Sequence, residues 1–308
     1  MRMKKVLCVL LAAALLLVSG SAAMASLEKP KVGITVMVMN NPFFVSMVEA
    51  VKEEVAKLGG EVLVVDGNMD VQKQTAGVED MLRQKIDFLL FNPVDSDAGE
   101  AAVSMAKEAG IPVICLDADS SGPRDLFIVS NNVGAGELCA EYVAERTKGK
   151  ANVVIITGNP VSSTRDRYNG VMKVFEKYPD IKVVAEQNGE GLLERGMAVM
   201  ENILQAQPKI DAVIGINDPM GLGALAAVES AGRQDEIFVV GVDGSPDALK
   251  AILKPSSYVM SAAQEPAKIG RMGVEYGMKM LRGEEIAEKE IYVPVKTITI
   301  ENAKDFSW

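Results

Sequence analysis

The feature that most constrains the fold is a rhythm. Short apolar, β-branched runs alternate with helix-period segments along almost the whole chain, and glycine closes many of the helical ones. Runs that are apolar at every position, rather than at every second one, suit strands covered on both faces. Strand–helix alternation is how a parallel sheet acquires those covers. The pattern predicts an α/β protein of doubly wound parallel sheets.

Lys31 to Met39 reads as a strand, and Asn41-Pro42 supplies an N-cap and a first-turn proline for a helix to Leu58, stopped by Gly59-Gly60. Strands follow at Glu61 to Asp66, Asp87 to Phe91, Pro112 to Leu116 and Phe127 to Ser130, with helices at Val71 to Arg83 and Asp97 to Ala109 between them. The second half repeats the arrangement. Its helices are Gly134 to Thr147, Ser163 to Tyr178, Leu193 to Gln205, Met220 to Ala231 and Ser245 to Leu253. Its strands are Asn152 to Thr157, Ile181 to Glu186, Ala212 to Ile216, Ile237 to Val242 and Tyr258 to Ala262. A chain of 308 residues, 48% hydrophobic, is longer than one core comfortably supports, so two similar lobes are expected. The helix Pro266 to Leu281 and the strands Ile291 to Val293 and Lys296 to Ile300 are left over. No Pro/Gly/Ser-rich linker separates the halves, so the chain is expected to cross between lobes more than once and make a multi-strand hinge.

At the start, Arg2, Lys4 and Lys5 precede an unbroken apolar run from Val6 to Val18, and Ala23-Met24-Ala25 supplies a small-x-small cleavage pattern. These are signal-peptide proportions, too short to span a bilayer, and imply export to a periplasm with cleavage near Ala25. Cys115 and Cys139, both in apolar contexts, then remain as the thiols of the mature chain and read as buried free cysteines.

Composition excludes several chemistries. The chain has no histidine, which removes Ser-His-Asp and Cys-His triads and His-ligated zinc. A net charge of −10 has the wrong sign for a phosphate backbone, so nucleic acid is not an expected partner. Gly134-x-Gly136 lacks the third glycine of a dinucleotide loop, and the calcium-like start at Asp117-x-Asp119 meets Ile128 where a glutamate ligand belongs. No metal or cofactor is implied.

In open α/β sheets ligands bind beyond the carboxyl ends of the strands. Asn41, Asn92 and Asp117 follow strands of the first half; Asn217, Asp218 and Asp243 follow strands of the second, and Arg165 sits at a helix start beside them. Carboxylates and a guanidinium bond hydroxyls strongly, amides both donate and accept, and Phe43 and Phe44 offer faces for a sugar ring's C–H surface. Asp218 reads as a helix cap rather than a contact, and Arg165 and Arg167 alternate, so that one of them faces solvent. A neutral polyhydroxyl ligand fits this set. Asp117 and Asp243 as a paired-carboxylate glycosidase is the enzymatic alternative.

The ordered set Asn40-Asn41-Pro42-Phe43-Phe44, Asn92-Pro93 with Asp95-Ser96-Asp97-Ala98, Leu116-Asp117, Arg165-Asp166-Arg167, Asn217-Asp218, Val240-Gly241-Val242-Asp243-Gly244 and Ala263-Gln264 closely resembles the ribose-binding-protein branch of the type I periplasmic binding proteins. The resemblance spans essentially the whole chain after the leader. It implies two lobes joined by three crossovers, near Ser130-Asn131, Gln264-Glu265 and Tyr292-Val293, with 26–130 plus 265–292 in one lobe and 131–264 plus 293–308 in the other. It also implies a sugar ligand and delivery to an ABC permease and its ATPase subunit; a receptor that reports ligand to a membrane kinase or chemoreceptor is the alternative. The ligand contacts it implies are Asn41, Phe43, Phe44, Asn92, Asp117, Arg165, Asn217, Asp243 and Gln264. Ala118 stands where ribose binders carry an arginine, and Gly191 and Val242 where they carry aromatic residues. Those losses are expected to open room for a different pentose, a hexose or a polyol.

Overall fold

The computed structural model describes residues 29–308; the expected leader lies outside the described residues. Two six-stranded sheets form the framework. The first contains β1 (Lys31–Val36), β2 (Glu61–Asp66), β3 (Phe88–Phe91), β4 (Val113–Leu116), β5 (Leu126–Ser130) and β11 (Glu290–Val293), ordered β11-β5-β4-β3-β1-β2. The second contains β6 (Lys150–Thr157), β7 (Asp180–Asn188), β8 (Ala212–Gly215), β9 (Phe238–Asp243), β10 (Tyr258–Ala263) and β12 (Lys296–Ile298), ordered β12-β10-β9-β8-β6-β7. Every described pairing is parallel except β10 with β12. Each of β3, β4, β5 and β8 is buried at every position, which is why these strands read as unbroken apolar runs.

The helices are α1 (Pro42–Lys57), α2 (Val71–Arg83), α3 (Glu100–Glu108), α4 (Asn132–Arg146), α5 (Ser162–Phe175), α6 (Leu193–Ala206), α7 (Asp218–Ser230), α8 (Pro246–Ile252) and α9 (Pro266–Leu281). Helix α9 packs on α1 and on β3, β4 and β5, whereas α4 packs on α5, β9 and β10. The chain therefore passes between the sheets three times: from β5 to α4, from β10 to α9 and from β11 to β12. Val293 still pairs with Ser130 in the first sheet, so the third passage begins just after it.

Several boundaries differ from the sequence reading for local reasons. β1 stops at Val36 rather than Met39, because the Met37 N–H turns to the side-chain oxygen of Asn92 and its carbonyl accepts from Met69. α3 starts at Glu100 rather than Asp97, because the Asp95 carboxylate takes the N–H groups of Asp97 and Ala98 into a turn. α5 ends at Phe175 rather than Tyr178, ahead of Pro179, whose ring disfavours helical backbone before it.

Both cysteines are buried and free, Cys115 in β4 and Cys139 in α4. Burial pushes each thiol up to about 12, which keeps both protonated and unreactive.

Helices α4 and α5 meet through reciprocal glycines. A Cβ on Gly136 would lie inside the van der Waals shell of the Arg167 carbonyl, and one on Gly170 inside that of the Val133 carbonyl. Two helical backbones can approach this closely only where no side chain intervenes. Gly136→Ala should therefore force the helices apart, cost about 2 kcal/mol or more, and lower the melting midpoint by several degrees in a thermal scan.

Candidate ligand-binding cleft

The two sheets share one order, strand by strand, so their carboxyl ends present equivalent groups, and the polar residues there meet across a cleft of about 500 Å³, mouth included. From the first lobe come Asn41, Phe43, Phe44 and Asp117; from the second come Arg167, Asn217 and Asp243, with Gln264 from the crossover after β10. Met37, Val38, Met69, Val161 and Leu192 complete an apolar rim.

Local structure explains each position. Asn41 caps α1, its side-chain oxygen accepting from the Phe43 N–H at 2.9 Å, which sets Phe43 and Phe44 on the first turn facing the cleft. Both rings are buried, meet edge to face at 5.4 Å, and Phe43 packs likewise against Trp308. Asn217 caps α7 through the Met220 N–H while its amide donates to the Gly191 carbonyl. Asp117 and Asp243 occupy positive-φ positions at 64° and 137°, a strained backbone for a β-carbon residue. Sharp turns of this kind at strand ends aim short side chains into a cleft.

Arg167 organises the electrostatics. Its Nε donates to the Asn132 side-chain oxygen at 2.7 Å and one Nη to the Ile216 carbonyl at 3.0 Å. That leaves the guanidinium 4.0 Å from Asp117 across the cleft and 3.7 Å from Asp243. Asp243 accepts from the Gln264 amide at 2.7 Å. Asp117 Oδ1 and Gln264 Oε1 are buried without a hydrogen-bond partner. Buried acceptors of this kind are costly until a donor arrives.

The two-lobed fold is one that known proteins share. A family model described as a periplasmic binding protein domain matches residues 32–285. The chain belongs to the periplasmic binding protein family. The ribose import binding protein of Bacillus subtilis is 36% identical over 96% of this chain and 99% of its own. A solute-binding protein from Actinobacillus succinogenes, solved with bound D-allose, superposes with a TM-score of 0.84 at 30% identity, covering 90% of this chain and 100% of that one. One from Bacillus halodurans with bound myo-inositol also gives 0.84, at 28% identity, covering 90% of this chain and 96% of that one.

Within this periplasmic binding protein, three sequence expectations need correction. Arg165 is exposed and does not line the cleft; Arg167, two residues on, does. Two residues turn a helix by roughly 200°, so the pair cannot share a face. Ser163, Arg167, Gly170, Val171 and Val174 lie on the buried side of α5, a spacing visible in the sequence that identifies Arg167 as the inward member. Asn92 is buried behind the cleft rather than on it. Its amide donates to the Leu116 carbonyl and lies 3.4 Å from Asp117 Oδ2, so it orients that carboxylate. Ala118 and Val242 belong to the apolar cores, so of the three departures from the ribose pattern only Gly191 bears on the cleft.

Asp218 faces away from the cleft, its carboxylate holding the Ser245 N–H and the Tyr258 and Ser261 hydroxyls. Trp308 carried no signal in the sequence beyond being the single tryptophan. Its indole N–H donates to the Asp243 carbonyl at 2.9 Å while its ring meets Phe43, so it touches both lobes.

Burial pushes the Asp117 carboxyl from 3.8 up to about 6, with Arg167 and then Asn92 pulling it back. Burial likewise raises Asp243, opposed by Arg167 and reinforced by Asp218. A folded-state carboxyl above its unfolded value holds its proton longer than the unfolded chain does. Its contribution therefore favours folding below about pH 4 and is lost as pH rises through about 6. In the closed form Asp117→Asn should remove this loss, flattening the fall of the melting midpoint between about pH 4 and 6 in a thermal scan.

Proposed function

We propose that this protein captures a monosaccharide or polyol between its lobes and delivers it to an ABC permease served by an ATPase subunit. One observation carries the reading: two buried acceptors, Asp117 Oδ1 and Gln264 Oε1, stand unpartnered in a cleft that also holds a guanidinium and two aromatic rings. A polyhydroxyl ligand supplies donors to the carboxylate and the amide oxygen, acceptors to Arg167, and C–H faces to Phe43 and Phe44. Arg167 near both carboxylates suits hydroxyl binding better than the acid and nucleophile of a glycosidase, and the relatives are binding proteins rather than enzymes.

The mechanism is closure. A sugar held by Asp117 from one lobe and by Arg167 and Asp243 from the other touches both only when the lobes meet. It therefore favours the closed state by its differential affinity for that state. The leader with cleavage near Ala25 would export the chain to the periplasm, where the closed form meets its permease.

A thermal-shift panel of D-ribose, D-allose, xylitol and myo-inositol tests the reading, because ligand bound to the native state raises the midpoint by mass action. At least one member should shift it clearly. Arg167→Ala should abolish that shift and Arg165→Ala should keep it. Since Gly191 leaves one wall of the cleft without a side chain, the largest shift is expected from a member other than D-ribose. A panel in which only D-ribose binds would overturn the size argument, and one in which nothing binds would overturn capture itself.

A further inference from the structure

The lobes also touch outside the cleft. Ser162, the first residue of α5 in the second lobe, accepts the Asp119 N–H through its hydroxyl oxygen at 2.7 Å. The Ser162 N–H in turn donates to the Ser96 hydroxyl oxygen at 3.1 Å. Ser96 and Asp119 both belong to the first lobe, in the loops after β3 and β4. Both serines are buried, at 6% and 7% exposure, and neither lines the cleft.

We propose that Ser96, Ser162 and the Asp119 backbone form a latch that holds the lobes closed and so sets the residence time of a ligand that none of them touches. The inference rests on the capture reading above. Three features show that the contact is built. The residue before α5 is Val161, which gives the helix no side-chain cap of its own, so the first N–H is capped from the opposite lobe. The Asp119 carboxylate is gripped by the Nε and Nη2 of Arg124, which also donates to the Lys289 carbonyl and to Glu290. That ties the latch loop to β11, the strand that leads into the third crossover. The Ser96 carbonyl accepts from the Ser121 N–H, joining the two first-lobe loops into one unit.

The latch also explains how Arg167 reaches its place. It lies on the same helix, five residues beyond Ser162, so pinning the helix start to the first lobe brings the guanidinium towards Asp117. In an open protein water satisfies the same groups. These hydrogen bonds therefore weigh on the closed state alone, and their loss should appear in dissociation rather than association.

Stopped-flow measurement of Trp308 emission tests this, with whichever of D-ribose, D-allose, xylitol and myo-inositol gives the largest thermal shift as the probe. Ser162→Ala and Ser96→Ala remove different hydrogen bonds, and each should speed dissociation by about 3- to 10-fold. Association and the ligand-free melting midpoint should stay unchanged, and Ser162→Thr, which keeps the hydroxyl, should restore slow dissociation. Unchanged dissociation in both alanine variants overturns the latch, as does faster dissociation accompanied by a lowered ligand-free midpoint. A second measurement needs no ligand: in the double variant Ser96→Cys, Ser162→Cys, oxidation should form a cross-lobe disulfide detected on a non-reducing gel, the two native thiols being buried. Failure to cross-link overturns the latch whether or not a sugar binds. If the wild-type protein binds no member of the panel but the double-cysteine variant still cross-links, capture is overturned and the lobe contact stands.

Discussion

Everything in the cleft turns on one guanidinium. Arg167 is the cation that faces the buried carboxylates of both lobes, and it is held from behind by Asn132 and the Ile216 carbonyl. Without it, the two buried carboxyls would have no cation to favour their ionised forms, and burial would hold both protonated further up the pH range. With it, both stand farther from the cation than a hydrogen bond; Asp243 accepts from the Gln264 amide, while Asp117 retains a free acceptor oxygen. A site in this condition is unstable toward a ligand that brings hydroxyls. Stability is given up in the empty cleft so that binding energy is gained when it fills.

The fold supplies the means of bringing these groups together. Two sheets of the same order place their carboxyl ends face to face, and three crossovers keep them opposed while allowing them to separate. The α4–α5 glycine contact ties the arginine's helix closely to the second lobe. At the start of the same helix, Ser162 meets the first lobe. One helix thus carries the central cation, touches its own lobe without clearance and engages the opposite lobe at its tip. In the proposed closure, that helix moves with its own lobe.

Much of this was legible in the chain. The unbroken apolar runs at Phe88–Phe91 and Val113–Leu116 are buried on both faces, as such runs demand. Asn41 and Asn217 carry the cap chemistry that starts α1 and α7, and the same residues line the cleft. Arg167 was legible only by helix face, since Ser163, Arg167, Gly170 and Val174 share a side that Arg165 does not. Asn92 showed the reverse problem. Its place at a strand end suggested a ligand contact, yet its bonds to Met37 and Leu116 spend its amide on the backbone.

Local patterning by itself determined the strands, the helices, their caps and the strand-end polar residues, because periodicity and capping act over a few neighbouring residues. Tertiary structure alone decided that one guanidinium stands near carboxylates of both lobes, that Val242 and Ala118 turn into the cores, and that Trp308 reaches Phe43. It also decided that Ser96 meets Ser162, 66 positions away. These outcomes depend on how two lobes close on one another, and contacts between distant segments leave no periodic trace in the chain that makes them.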